Sequence, residues 1–324
     1  MIIDGTQYCN WTRAIFEEMR AGGVTAVHVT VGYHEGFREL VQMIADWNRR
    51  FIDHADLIVH ARTTADIERA QARGLTAIIF GSQNPLPIEN DLGLVEILHT
   101  LGLRFMQLSY NNQSLLCAGW QEPVDTGVTR FGREVIGEMN RLGMVIDMSH
   151  SGERSTLDAI EISARPITVS HANPSWWRET KRNKSDAVIR ALAKRGGMLG
   201  FSLYPHHLKN GSACTLADFT SMVRDVADRI GTEHIGIGSD LCQGQPDAIV
   251  QWMRIGRWTF PAADSVDAKA TFPAQPSWFQ TNRDFPQIAA GLSQAGFTDA
   301  EIAGIMGGNW FRFMQSSFGP FKAT

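Results

Sequence analysis

The sequence predicts an α/β fold, a (β/α)8 TIM barrel with additional C-terminal segments, and three observations support this prediction. About eight or nine short apolar runs alternate with helical stretches along the 324 residues, as strands and helices do in such a barrel. No linker rich in Pro, Gly or Ser divides the chain, so residues 1–324 are expected to form a single domain. Two of the runs, residues 144–150 and 166–171, enclose a helical stretch, which implies parallel strands. An open doubly wound sheet is the alternative fold.

The predicted elements follow from the spacing of apolar residues. Runs of β-branched and apolar residues predict strands at residues 2–5, 24–31, 55–60, 76–80, 104–109, 144–150, 166–171, 197–203 and 235–240. Helical spacing predicts helices at residues 11–21, 37–50, 64–73, 92–101, 132–142, 153–162, 185–195, 216–230, 288–295 and 298–306. Residues 246–285 show little periodicity, so we expect an irregular cap over the barrel or a dimer contact there.

Composition narrows the class of protein. The net charge of -4 and the absence of a basic run argue against nucleic acid or a membrane surface as a partner. No apolar run approaches the roughly 20 residues of a spanning helix, and the N-terminus lacks the pattern of a signal peptide. The four cysteines are widely spaced without a CxxC pair, which predicts reduced thiols and a cytoplasmic location.

Polar residues stand at the ends of several predicted strands. They are Asp4, His28, His60, Tyr110, His150, His171, Tyr204 and Asp240. In a TIM barrel these ends meet at one mouth, where imidazoles and carboxylates are able to bind zinc. For His28, His60 and the pair His206-His207 we favour a core or loop role, whereas for His150 and His171 we favour a functional one.

Several of these residues lie in motifs that resemble the membrane (renal) dipeptidase family, peptidase family M19. The motifs are residues 138–150, residues 166–171, Arg182-Asn183, residues 236–240 and residues 307–310, in this order. The resemblance covers nearly the whole chain. It implies a TIM barrel of the metal-dependent hydrolase type with a binuclear zinc site, dipeptides or related small molecules as substrates, and a homodimer.

The resemblance also implies roles for individual residues. His150 and His171 match the two histidines that bind the second zinc. Arg182 matches the arginine that binds the carboxylate of the substrate, a task that suits a planar guanidinium. Asp240 matches the catalytic carboxylate that handles protons at the scissile nitrogen. Tyr110 replaces a family histidine that polarises the substrate, and we place it among the substrate-binding residues.

The other half of the family site is missing from this sequence. Where the family has Asp-Gly-His-x-Asp, residues 4–8 are Asp-Gly-Thr-Gln-Tyr, so Thr6 and Tyr8 replace the ligands of the first zinc. Residues 80–83, Phe-Gly-Ser-Gln, lack the glutamate that bridges the two metals, and an amide supplies no bridging charge. We therefore expect at most one zinc ion, held by His150 and His171. The third ligand stays open among Asp240, Gln83, Tyr110 and Cys9.

Three functions are compatible with this site. The first is a dipeptidase-like metallohydrolase of the metalloexopeptidase class, which cleaves a dipeptide or a related small carboxylated amide. The second is a catalytically altered family member that binds a small molecule or a protein. The third is an enzyme without metal that uses Asp4, Tyr110 and Asp240 as acid and base. The first is favoured because a binding scaffold has no need to keep His150, His171, Arg182 and Asp240 together.

Overall fold

The protein forms a closed barrel of parallel strands surrounded by helices, in a computed structural model that describes residues 1–319. The strands are β1 (Ile2–Gln7), β2 (Val24–Thr30), β3 (Ile58–His60), β4 (Thr76–Ser82), β5 (Leu103–Gln107), β6 (Val145–Asp147), β7 (Thr168–Val169), β8 (Met198–Phe201) and β9 (Ile235–Ile237). Eight of them close the ring in the order β1, β2, β4, β5, β6, β7, β8, β9, since β9 pairs with β1 and β2 with β4. The open doubly wound alternative is therefore wrong.

The ninth strand, β3, lies beside the ring. β3 pairs with residues 76–78 of β4, and β5 pairs with residues 80–82 along the same edge of β4. The helices are α1 (Arg13–Ala21), α2 (Phe37–Asp53), α3 (Thr64–Ala72), α4 (Gly93–Thr100), α5 (Arg130–Leu142), α6 (Glu153–Ile162), α7 (Asp186–Lys194), α8 (Leu216–Ile230), α9 (Asp247–Ile255), α10 (Phe285–Gln294), α11 (Asp299–Ala303) and α12 (Asn309–Ser317). No helix within residues 1–319 is long and apolar enough to cross a membrane.

The nine predicted strands are confirmed, but two predictions near the C-terminus need correction and one helix was not predicted. The segment 246–285 contains α9, where Val250 and Met253 are buried at helical spacing. The helix expected at residues 298–306 ends at Ala303 and continues as a π-helical turn, Gly304–Gly308. A further helix, α12, follows it, and its missed signal is the buried set Trp310, Phe313 and Met314.

Local signals position β6, the strand before the first of two Ser-His pairs, Ser149-His150 and Ser170-His171. Helix α5 begins after Thr129, whose hydroxyl accepts a hydrogen bond from the backbone N–H of Gly132. It ends at Gly143, which adopts a left-handed conformation with φ of 81°. The chain then enters β6, whose last residue is Asp147. The turn at Gly143 therefore sets the position of Asp147 at the end of the strand.

Two of the three buried apolar clusters within residues 1–319 meet at the barrel strands. Along β2, Val27 belongs to the cluster between ring and helices, whereas Ala26 belongs to the cluster inside the ring. Trp310 of α12 fills part of the inner cluster, and its Nε1 donates a hydrogen bond to the Ile237 carbonyl at 2.9 Å. A Cβ atom on Gly236 would lie 2.6 Å from Trp310 Nε1, so this strand glycine makes room for the indole.

Candidate active site

A cavity of about 380 Å³ lies at the ends of the strands where β6 and β9 leave the ring. It is lined by Tyr33, Gln83, Tyr110, Asn111, Trp120, Gln121, His150, Thr180, Arg182, Tyr204, His206, His207, Asp240, Cys242, Val250, Met253, Arg254 and Asp267. Four of the predicted site residues are on this wall, and the fifth, His171, lies directly behind His150. A wider cleft of about 1320 Å³ adjoins the cavity at Tyr110 and Gln121.

Asp147 ties the two Ser-His pairs together. Its carboxylate accepts hydrogen bonds from the hydroxyls of Ser149 at 2.6 Å and Ser170 at 2.5 Å. It also accepts hydrogen bonds from the backbone N–H groups of both serines at 3.0 Å. The ends of β6 and β7 are thereby held at one point, and the histidine after each serine is held with them.

The two imidazoles face each other through their Nε2 atoms, which are 3.0 Å apart. His171 Nδ1 lies 2.7 Å from the Ser170 hydroxyl, and the hydrogen of that hydroxyl is given to Asp147. Nδ1 of His171 is therefore the donor, which leaves an acceptor lone pair on its Nε2.

Burial lowers the pKa of both imidazoles well below the usual 6.5, and the neighbouring guanidinium of Arg182 lowers it further. Both rings are thus neutral near pH 7, the form in which histidine binds metals.

These two nitrogen donors suit a divalent cation of intermediate softness such as zinc. Within residues 1–319, however, no three side chains of the types His, Cys, Asp and Glu form a group able to hold a metal ion. A metal ion bound by His150 and His171 would therefore have two protein ligands of these types, fewer than the three or four of a stable zinc site. Among the proposed third ligands, Cys9 is a buried free thiol that contacts Gln7 and the Leu241 carbonyl, so it is packed away from the histidines.

Arg182 is buried beside this pair. Its Nη1 donates a hydrogen bond to the Ser149 carbonyl at 2.5 Å. Its Nε and Nη2 are buried and have no hydrogen-bond partner among residues 1–319. Desolvation lowers the pKa of the guanidinium to about 10, so it remains positively charged at neutral pH. A buried guanidinium with two nitrogens free to donate has the chemistry to bind an anion.

Asp240 leaves the end of β9 in an uncommon backbone conformation, with φ of 56°. Desolvation raises the pKa of its carboxyl to about 7, although Arg182 opposes the rise. A carboxyl group with this pKa exchanges a proton readily at neutral pH, as a general acid or base must.

The half of the site that departs from the family motifs is packed with tyrosines. Tyr110 stacks on His150 with ring centroids 4.3 Å apart, and it meets Tyr33 edge to face at 5.0 Å. Tyr8 packs on the other side of Tyr33 at 4.8 Å. Gln83 donates hydrogen bonds to Thr30 Oγ1 at 2.8 Å and to the Tyr33 hydroxyl at 3.2 Å. These residues support one another, and none of them is a metal-binding imidazole or carboxylate.

Sequence reasoning missed several residues on the cavity wall. Tyr33, Asn111 and Trp120 come from loops without a regular period, and no local signal singled them out. His207, for which a loop role was favoured, is buried against Ser202 and lines the cavity. His28 instead packs inside the barrel, where its Nδ1 contacts the Gly5 carbonyl at 2.6 Å.

Known proteins resemble this chain in sequence and in fold. A model of the membrane dipeptidase family, peptidase family M19, matches residues 12–256. The chain belongs to this family. The dipeptidase tcpJ of Claviceps purpurea (strain 20.1) is 26% identical over 289 residues, which make up 87% of this chain and 61% of that dipeptidase. The chain thus matches less than two thirds of the length of that relative.

Solved structures share the barrel fold of this chain. An amidohydrolase from Pseudomonas aeruginosa is 34% identical, with a TM-score of 0.93 over 98% of this chain and 96% of that one. A metallo peptidase from Rhodobacter sphaeroides, liganded with a phosphinate mimic of the dipeptide L-Ala-D-Ala, has a TM-score of 0.80 at 17% identity, over 98% and 99% of the two chains. The second likeness shows the fold alone. The TIM barrel and the resemblance to M19 dipeptidases are confirmed, and M19 is a family of metal-dependent peptidases.

Proposed function

We propose that this M19 protein is a hydrolase of dipeptides or related small carboxylated amides, and that it works with a single zinc ion. The observation that carries the proposal is Arg182, a buried cation whose Nε and Nη2 lack partners, in the wall of a cavity that also contains His150 and Asp240. Burial of such a charge is costly, and the neighbouring carboxylates of Asp240 and Asp147 offset only part of that cost. A terminal carboxylate accepts both N–H groups at once, which fixes the substrate in register.

Asp240 is the proposed proton carrier. In its ionised form it accepts a proton from the attacking water, and it returns the proton to the amide nitrogen that leaves as an amine. A pKa of about 7 makes both steps accessible at neutral pH. His150 and His171 are the proposed zinc ligands, and Tyr110, which stacks on His150 and lines the cavity, is a proposed substrate contact. Bound zinc acts as a Lewis acid and makes water more acidic.

The test uses protein freed of metal with a chelator and then supplied with zinc. Dipeptides with a free carboxylate are compared with the same dipeptides as C-terminal amides, and the released amino acid is quantified. We expect hydrolysis after about one equivalent of zinc, with kcat/KM at least about 10-fold lower for the amides because they lack the charge that Arg182 binds. Equal rates for both series would remove Arg182 from substrate binding.

The second candidate function is a binding module for a carboxylated small molecule or a protein. The observation in its favour is the absence of a three-residue metal cluster within residues 1–319. Tight binding of dipeptides by calorimetry without turnover, at any zinc concentration, would favour this function over the hydrolase.

The proposal also includes an assembly and a location. Trp258 and Phe260, in the segment 246–285, are 57% and 100% exposed, which suits a contact in a homodimer. Val250 and Met253 of the same segment line the cavity, as a cap would. Sedimentation of the chain with Phe260→Asp tests the dimer.

All four cysteines are free thiols, which suits the cytoplasm, and cell fractionation tests that location.

A further inference from the structure

Asn111 contacts His150 on the side away from His171. Its Oδ1 lies 2.7 Å from His150 Nδ1 and also accepts a hydrogen bond from Trp120 Nε1 at 2.6 Å. The indole N–H is only ever a donor, so the atom opposite it must be the amide oxygen of Asn111 and not its nitrogen. The same oxygen faces His150, and it accepts a hydrogen bond only if Nδ1 of His150 carries the proton.

We propose that Asn111 is a positioning residue that holds His150 in the Nδ1–H tautomer. Trp120 in turn fixes the orientation of the Asn111 amide. In a neutral imidazole the proton on Nδ1 leaves a lone pair on Nε2. Ser170 does the same for His171, so two lone pairs meet across 3.0 Å. Two acceptors at this distance repel each other unless a cation lies between them. The arrangement therefore prepares the pair for a metal ion at the expense of a direct hydrogen bond between the rings.

The backbone conformation of Asn111 suits this role. Its φ of 61° lies in the left-handed region, which Asn and Gly tolerate better than other residues. Its carbonyl accepts a hydrogen bond from the N–H of Gln121 at 2.9 Å, and Gly119 packs so closely that a Cβ atom there would lie 2.0 Å from the same carbonyl oxygen. The backbone at Gly119 and Gln121 thus packs directly against the backbone of Asn111.

The left-handed backbone also decides which variants test the proposal. Asn111→Gly removes the side chain without backbone strain, whereas Ala would add strain of its own. Asn111→Asp keeps an acceptor oxygen opposite Nδ1. Trp120→Phe removes the donor that prevents the amide from turning over. Asn112→Gly is the matched control, because it makes the same change one residue further along, away from His150.

The experiment measures the tautomer in the metal-free protein by long-range ¹H–¹⁵N NMR of ¹⁵N-histidine at pH 8, with His150→Gln to assign the signals. The parent, Asn111→Asp and Asn112→Gly should show His150 protonated on Nδ1. Asn111→Gly should move the proton to Nε2, from which it can bond to His171, and Trp120→Phe should give a mixture. Zinc affinity should fall about 10- to 100-fold in Asn111→Gly and stay near the parent in Asn111→Asp.

The proposal is overturned if Asn111→Gly keeps the proton on Nδ1, or if the parent already carries it on Nε2. It rests on the proposed function for the use of the metal, but the tautomer is measured without one. A parent with the expected tautomer and no zinc-dependent hydrolysis supports the role of Asn111 in orienting His150 and contradicts the hydrolase.

Discussion

The two halves of the barrel mouth have the same backbone support and different chemistry. On one side Asp147 holds Ser149 and Ser170 through hydroxyl and backbone N–H groups. On the other side Asp4 holds Ser239 in the same way, with distances of 2.5 Å to the hydroxyl and 2.7 Å to the backbone nitrogen. The first half presents two imidazoles. The second presents tyrosines and an amide.

The two halves share a supporting carboxylate but differ in the side chains around it. The carboxylate that organises the strand ends is present in both halves, since it is needed for the ring to close with its polar groups satisfied. The side chains that would hold a first metal have been replaced by residues that pack on one another, such as Tyr8 on Tyr33.

The largest effect is expected when the imidazole half is removed. In the double variant His150→Ala and His171→Ala, zinc content should fall to background and kcat/KM by at least about 100-fold, because both metal donors are lost. Tyr8→Phe, in the other half, should change kcat/KM by less than about threefold. Metal analysis and steady-state kinetics on the two proteins check this. A Tyr8 variant as inactive as the double variant would show that the halves work together.

A smaller effect is expected at Arg182. Arg182→Lys keeps the charge but loses the planar pair of donors, so KM should rise by about 10-fold, equivalent to about 1.4 kcal/mol, with a smaller change in kcat. Zinc content should stay at the parent value, which separates substrate binding from metal binding. An unchanged KM with a lower kcat would place Arg182 in the chemical step instead.

The pH profile should report Asp240. If its ionised form is the base, kcat/KM rises with pH through about 7, and Asp240→Asn loses both activity and this limb of the profile. Stability runs in the opposite direction. The pKa of Asp240 is raised on folding, so its contribution to folding is present at acid pH and is lost as the pH rises through about 7. Urea unfolding at pH 4 and pH 8 should therefore show Asp240→Asn gaining stability relative to the parent at the higher pH.

The smallest effect is expected on the number of bound zinc ions when family residue types are restored in the half of the site that contains Tyr8 and Gln83. The variant with Thr6→His, Tyr8→Asp, Gln83→Glu and Tyr110→His restores the residue types of the family motif. Zinc content should rise from one to two ions per chain, because the supporting Asp4 is still in place. A folded variant, checked by circular dichroism, that still binds one zinc ion would show that the backbone of this half has also diverged.

Much of the fold was predictable because strands and helices are encoded by neighbours in the sequence. Runs of β-branched and apolar residues located all nine strands, and helical spacing located ten of the helices. Helix α9 was missed because it lies in a segment rich in Trp and Pro, where its short apolar stripe, Val250 and Met253, has no flanking repeat. Helix α12 was missed for a different reason. Its apolar residues serve the inside of the barrel, where they pack against strand glycines such as Gly236.

Of the candidate site, the sequence by itself determined the residues at the strand ends, His150, His171 and Asp240, since each follows a local run of apolar residues. Only the tertiary structure decided what those residues do to one another. The 3.0 Å contact between the histidines, the free N–H groups of Arg182 and the hydrogen bond from Trp120 to Asn111 all join parts of the chain that no local pattern connects. The physical reason is ring closure, which brings the ends of distant strands to one mouth and sets the distances between their side chains.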